Sequence, residues 1–190
     1  MRKIVFLACL IIPSLVFSQN NRIGVYYQSG NDTIKIKPIS SSGYKTNTLG
    51  AALTMGIASS NMTVKFKHSK SENQIDSARF VFFFQDMIAA NVSSTYFNFV
   101  GTNKPDNFTL VKLKSKRKNR ELDWGKVNAY SGIDIGTKDG DMMPFTFEEV
   151  DKNTYKVTPI APLDKGEYAF VFDGLNGSGV FMPVFDFSIR

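Results

Sequence analysis

Apolar residues recur at every second position along most of this chain, which is the spacing of β-strands. Met62, Val64 and Phe66 alternate with polar residues, and this pattern predicts a half-buried strand. The segment 79–84 is apolar at nearly every position, which predicts a strand covered on both faces. We expect the N-terminal part of the chain to pack over that strand.

Short predicted strands separated by turn residues follow one another along the chain. Residues 23–28 and 33–37 predict a hairpin, because Ser, Gly, Asn and Asp between them favour a turn. Residues 49–57 predict either a short helix or a strand interrupted by glycine. Further strands are predicted at 108–114, 120–127, 145–150, 154–158, 167–173 and 180–189. Together with 79–84 they make about seven closely spaced strands, which is typical of a β-sandwich.

The run 163–168 reads Leu-Asp-Lys-Gly-Glu-Tyr and leads directly into a predicted strand. Such a run is typical of the tyrosine corner of Greek-key sandwiches, in which the ring is buried and the hydroxyl binds the backbone a few residues upstream. We therefore predict an all-β protein with an immunoglobulin-like Greek-key sandwich at 76–190. An N-terminal β-rich region at 19–75 packs on it, and the polar segment 69–74 marks the boundary.

Five segments carry a resemblance when they are taken together. They are Ile-Gly-Val-Tyr-Tyr at 23–27, Asn-Phe-Thr-Leu-Val-Lys-Leu at 107–113, Arg-Glu-Leu at 120–122, the run from Pro162 to Tyr168, and Phe-Asp-Phe-Ser-Ile at 185–189. In this combination the chain resembles a family of exported bacterial proteins whose function is uncharacterised. The resemblance implies a β-rich secreted domain and transfers no catalytic residue.

Residues 1–18 differ in character from the rest of the chain. Arg2 and Lys3 precede an apolar run at 4–16, and Ser18 offers a small residue before Gln19, which is the order of a cleaved secretory signal peptide. We therefore expect the protein in the periplasm, on the cell surface or outside the cell. No later apolar stretch is long enough for a transmembrane helix, so we expect none after cleavage.

Composition narrows the range of partners. Cys9, the single cysteine, lies in the signal, so the mature chain has no disulfide and no thiolate metal site. The net charge is +6, and loss of Arg2 and Lys3 leaves about +4. Mild basicity suits an anionic glycan, a lipid headgroup or an acidic envelope protein, and it also serves solubility. Export argues against nucleic acid, no cofactor is indicated, and the oligomeric state is left open.

The densest cluster of charge surrounds one predicted hairpin turn. Its members are Lys112, Lys114, Lys116, Arg117, Lys118 and Arg120. We predict that they project as a basic finger that binds an anionic partner. The alternative is a solubilising turn that protects an edge strand from pairing with other chains.

Other candidate residues carry less chemistry. Asp134, Asp139 and Asp141 share a glycine-bearing loop, but their spacing fits no EF-hand, so we read the loop as a solvated turn without a metal. His68 is the single histidine, and no Gly-x-Ser-x-Gly motif accompanies it. We therefore predict no catalytic residue.

The sequence predicts an exported, non-catalytic binding or scaffolding protein of the bacterial cell envelope. The alternative is a secreted polysaccharide-active enzyme that uses paired carboxylates. Glu121, Glu148 and Glu149 are candidates for such a pair, although the last two lie on opposite faces of one predicted strand.

Overall fold

Two β-sheets pack together in the described part of the chain, and the fold is all-β. The structure, a computed structural model, describes residues 23–46, 59–84, 104–128, 132–135, 139–172 and 184–190. The predicted signal peptide 1–18 and the segment 49–57 lie outside these residues. In chain order, the described strands are β1 (Gly24–Ser29), β2 (Asp32–Lys35), β3 (Gly43–Thr46), β4 (Ser60–Lys67), β5 (Gln74–Ile75), β6 (Phe80–Phe83), β7 (Phe108–Ser115), β8 (Asn119–Asn128), β9 (Gly132–Ile135), β10 (Phe145–Asp151), β11 (Thr154–Pro159), β12 (Gly166–Phe172) and β13 (Val184–Ile189). Two short 3-10 turns lie at Pro105–Asn107 and Asp139–Asp141.

The smaller sheet has the order β10-β11-β6-β1-β2, and all its neighbours are antiparallel. The larger sheet has the order β3-β4-β8-β7-β12-β13-β5, and β9 also pairs with β8. The β13–β5 pair is parallel. Because β1 pairs with β6 and β4 pairs with β8, both sheets contain strands from either side of the predicted boundary at residue 75.

Two predicted hairpins are confirmed with their turns. β1 and β2 pair from Ser29 with Asp32 onward, and Gly30 in the turn has φ +59°, a conformation that glycine adopts without steric cost. β10 and β11 form the second hairpin, and Asn153 in its turn has φ 55°. Asn tolerates this left-handed conformation better than most residues do. The residues in the two turns therefore account for the position of both hairpins.

Aromatic side chains from both sheets fill the space between them. Phe80 and Phe82 lie on the same face of β6, because side chains in a strand alternate between faces. Their ring centroids lie 4.9 and 5.0 Å from that of Phe170 on β12, in edge-to-face arrangements. Each such pair adds about 0.5–1.5 kcal/mol beyond simple area burial. The main core is therefore an aromatic layer between the sheets.

The middle strands of the larger sheet are covered on both faces. Phe170 points into the main core, whereas its neighbours Ala169 and Val171 point into a second apolar cluster. The side chains that cover this second face come from β4 and β8, and they are Val64, Phe66, Leu122 and Trp124. β12 is therefore buried along almost its whole length.

The cover over the strand predicted at 79–84 comes in part from the N-terminal region, because Ile36 and Ile75 belong to the same core cluster. The N-terminal strand β1 pairs beside β6 in the same sheet, so it does not pack over that strand. On the outer face, Phe83 is half-buried and meets the ring of Tyr26 edge-on at 5.0 Å. Val81, on the same outer face, is 8% exposed, so β6 is also largely buried on both faces. On β12, the cover on the second face comes from β4 and β8.

Tyr168 makes the bond predicted for a tyrosine corner. Its hydroxyl donates to the carbonyl of Asp164 at 3.0 Å, and its side chain is 1% exposed. This confirms the predicted local motif. The immunoglobulin-like Greek-key order of the strands stays a prediction.

Candidate functional site

A cleft of about 600 Å³ opens where the chain crosses between the sheets. One wall is the segment 35–42, which leaves β2 and leads into β3. Within it, Ile36 is buried in the main core and Ile39 bridges to Val184 of β13. The opposite wall is the segment 67–73 between β4 and β5, and the floor is formed by Arg120 and Asp186.

The cleft floor belongs to a cluster of buried polar side chains. Its members, here called the buried polar cluster, are Arg120, Asp186, Glu167, Ser188 and Ser71, each 5% exposed or less. The Arg120 guanidinium is ion-paired with the Asp186 carboxylate and lies 3.8 Å from the Glu167 carboxylate. It also donates to the carbonyls of His68 at 3.2 Å and Lys67 at 2.9 Å. One guanidinium thus joins β8, β13 and the end of β4.

The other half of the cluster holds the 67–73 wall in place. Glu167 accepts hydrogen bonds from the Ser71 backbone N–H at 2.8 Å and from the Ser188 hydroxyl at 2.7 Å. The Ser71 hydroxyl donates to the carbonyl of Asp186 at 3.1 Å. The polar composition of 69–74 predicts a linker. The structure shows that a buried serine in this segment anchors it to the larger sheet. Buried polar groups need such partners, because an unpaired one costs about 1–3 kcal/mol.

Positive charge dominates the cleft. Its cationic lining residues are Lys35, Lys37, Lys67, Lys70 and Arg120, and its carboxylates are Glu72 and Asp186, so three positive charges are in excess. Lys37, Lys67 and Lys70 are exposed and make no ion pair with any residue that the structure describes. A concave surface lined by one sign of charge attracts ions of the opposite sign.

The structure separates the six cations predicted to form one finger. Lys116, Arg117 and Lys118, here called the hairpin tip, are exposed at the turn between β7 and β8. Lys112 lies on β7 with its ammonium 5.9 Å from the ring centroid of Tyr168. Arg120 is only 3% exposed and belongs to the buried polar cluster.

Lys114 is also engaged within the protein. Its ammonium lies 2.7 Å from the Asp123 carboxylate and 3.4 Å from that of Asp141. The hydrogen bond to Asp123, together with the charges of both carboxylates, raises the pKa of Lys114 above its usual value. Of the six predicted cations, three therefore remain together at the exposed tip.

One of the three candidate metal ligands, Asp141, has its side chain in the part of the chain that the structure describes. Asp141 pairs with Lys114, and the side chains of Asp134 and Asp139 lie outside the described residues. The backbone of Asp134 lies in β9 and pairs with β8, so the prediction that this residue lies in a loop was wrong. Among the described residues, no three His, Cys, Asp or Glu side chains form a metal-binding group. His68 is exposed, lines the cleft and has φ 66° at the end of β4.

Each of the three carboxylates considered for catalysis has a partner of its own among the described residues. Glu148 pairs with Lys156 at 3.0 Å, and Glu149 accepts from the backbone N–H of Asn153 at 3.3 Å, both on the edge strand β10. Glu121 accepts from the Asn119 side chain at 3.2 Å. The enzyme alternative stays a prediction from the sequence.

Sequence reasoning missed the cleft, although one signal for it was present. Asp186 stands between Phe185 and Phe187 in a strand that is otherwise largely apolar, and Glu167 occupies a similar place in β12. A carboxylate in a buried strand needs a cationic or hydrogen-bonding partner. This requirement indicates a paired Arg or Lys, but it does not say which one.

Neither the family models, nor the curated proteins, nor the solved structures with which the chain was compared gave a match. Within the described residues, no helix has the length and apolar character needed to cross a membrane.

Proposed function

We propose that this protein is exported and acts in the bacterial cell envelope as a non-catalytic binding or scaffolding protein for an anionic partner. The observation that carries the proposal is the cationic cleft. Lys37, Lys67 and Lys70 line it without acidic partners among the described residues. Unpaired cations in a concave site raise the local concentration of anions and speed their association.

The hairpin tip lies close enough in the fold to extend this surface. Lys67, at the end of β4, is paired in register with Asn119 of β8. The carbonyl of Asn119 accepts from the backbone N–H of Lys116 at 2.8 Å. The cleft wall at Lys67 is therefore next to the hairpin tip in the sheet. A large anionic partner would contact both.

Two variants with the same change in charge test the proposal. The cleft variant carries Lys37→Gln, Lys67→Gln and Lys70→Gln, and the tip variant carries Lys116→Gln, Arg117→Gln and Lys118→Gln. Each loses three positive charges, so a general effect of net charge is equal in both. The measurement is the salt concentration that elutes each mature protein from a heparin matrix.

We expect the cleft variant to elute at clearly lower salt than the tip variant. At high salt, the cleft variant and the tip variant should differ less in their retention on heparin, because salt screens charges that are exposed to solvent. Equal elution of both variants would mean that only net charge matters. Wild-type elution of the cleft variant would contradict a role of the cleft in binding.

Export is tested separately in cells of the native source. Fractionation should place the protein outside the cytoplasm, and the intact mass should correspond to a chain that begins at Gln19. A cytoplasmic protein that retains residues 1–18 would contradict the envelope role. If the protein is found outside the cytoplasm, crosslinking in intact cells shows whether its partner is a protein. A crosslinked glycan or lipid would add no second polypeptide to the product.

A further inference from the structure

The cleft floor combines a hydrogen-bond donor with an acceptor. The Arg120 guanidinium is fixed by Asp186 and by two backbone carbonyls, and it has further N–H donors. Asp186 uses Oδ2 for Arg120, and its Oδ1 has no partner among the residues that the structure describes. Because the guanidinium cannot turn freely, this floor has a fixed pattern of donors and acceptors.

The acceptor at the floor disfavours a simple anion. A carboxylate or a phosphate diester has no hydrogen to give to Asp186, and its negative charge is repelled by that side chain. Glu72 adds a second negative group to the lining. A hydroxyl group, in contrast, donates to a carboxylate and accepts from a guanidinium at the same time. The floor is therefore complementary to hydroxyls, although the cleft as a whole attracts negative charge.

The walls of the cleft carry both neutral polar side chains and positively charged ones. Ser40, Ser41, Ser42 and Asn73 contribute neutral donors and acceptors to the lining. Ile39 is the single apolar side chain among the described lining residues. The exposed lysines stand on the two walls, above the buried floor. A ligand that fits both levels carries hydroxyls at one part and a negative group at another.

We infer that the cleft binds an acidic saccharide, a sugar that carries a carboxylate or a phosphate group. The sugar hydroxyls meet Asp186 and Arg120, and the acidic group meets the wall lysines. The inference rests on the proposed function and adds the class of ligand. A volume of about 600 Å³ lies inside the range of about 300–1,000 Å³ that is usual for small-molecule sites.

Calorimetric titration of the mature protein at fixed ionic strength tests the inference. The probes are a galacturonate tetramer, glucose 6-phosphate, neutral maltotetraose, inorganic phosphate and vesicles of phosphatidylglycerol. We expect at least one of the two acidic saccharides to bind about ten-fold or more tightly than both maltotetraose and inorganic phosphate, since it makes hydrogen bonds to charged groups as well as ion pairs. The cleft variant should lose this binding, and the tip variant should keep it.

Asp186→Asn provides a second measurement where its fold is intact by circular dichroism. It should weaken saccharide binding about ten-fold and leave the binding of inorganic phosphate unchanged or stronger, because it removes a negative charge. Glu72→Gln, an exposed position, serves as the control for charge alone.

The failure of the inference is distinct from the failure of the proposed function. If inorganic phosphate or the vesicles bind as tightly as both acidic saccharides, the saccharide class is wrong and anion binding stands. If no anionic probe binds, the inference of an acidic saccharide fails. If the cleft variant also behaves as wild type on heparin, the proposed function fails with it. If maltotetraose binds as tightly as the acidic saccharides, the lysines have no role in recognition.

Discussion

Replacing Arg120 by Met tests whether this residue belongs to the buried polar cluster or to an exposed basic finger. Met keeps much of the aliphatic length and removes the guanidinium. The variant leaves the carboxylates of Asp186 and Glu167 buried without their cation. It also removes the donors to the carbonyls of Lys67 and His68.

The structure sets the expected magnitude. Removing one partner of a buried ion pair costs about 3–5 kcal/mol, because the other charge stays uncompensated. Domains of this kind are stable by about 5–15 kcal/mol, so Arg120→Met should remove a large share of the total. With a urea dependence of about 2 kcal/mol per molar, the unfolding midpoint should fall by roughly 1.5–2.5 M.

Urea unfolding of a chain that begins at Gln19 measures this directly. Trp124 is the single tryptophan and is 3% exposed, so its fluorescence reports the loss of the second apolar cluster. Arg117→Met at the hairpin tip is the matched control and should change stability by less than about 0.5 kcal/mol. Adding Asp186→Leu to Arg120→Met should recover part of the loss, with a coupling of about 1–3 kcal/mol.

A loss below about 1 kcal/mol for Arg120→Met, similar to that of Arg117→Met, would refute this reasoning. Arg120 would then behave as an exposed cation of the predicted finger. Strictly additive effects of the Arg120 and Asp186 substitutions would likewise mean that the two side chains do not interact.

Three further predictions concern the core, the corner and one surface pair. Tyr168→Phe removes the hydroxyl bond to Asp164 and should lower the free energy of unfolding by about 1 kcal/mol in the same urea assay; an unchanged midpoint would contradict the tyrosine corner. Phe170→Ala empties the centre of the aromatic layer and should cost about 3–5 kcal/mol, whereas a loss of under about 1 kcal/mol would mean that the sheets do not pack through this ring. Lys114→Gln should cost less than about 1 kcal/mol, since the side chain of Lys114 is 44% exposed. Because the pKa of Lys114 is raised, its stabilisation is present below the usual value of 10.5 and is lost as pH rises above it, so melting curves of wild type and variant should converge in alkali. A difference in melting temperature that persists unchanged there would exclude the ion pair as its cause.

The tyrosine corner and most of the described strands were accessible from the sequence, because both depend on short-range patterns. The short strands β3, β5 and β9 were not predicted. The hairpin β1–β2 follows from alternation and from the turn at Gly30. The bond from Tyr168 spans four residues, so a local motif suffices to predict it. The cover over β12 was not accessible, because alternation shows which side chains share a face and does not show what lies against that face.

The sequence by itself determined that this chain forms short strands with two distinct faces, since a period of two depends only on neighbouring residues. Only the tertiary structure decided the place of each cation. Arg120 stands among five other cations in the chain, and nothing local marks it as the buried one. It becomes buried because strand pairing brings it to Asp186, 66 residues later. The cleft likewise combines the segments 35–42 and 67–73 with β8 and β13, and long-range pairing alone joins them.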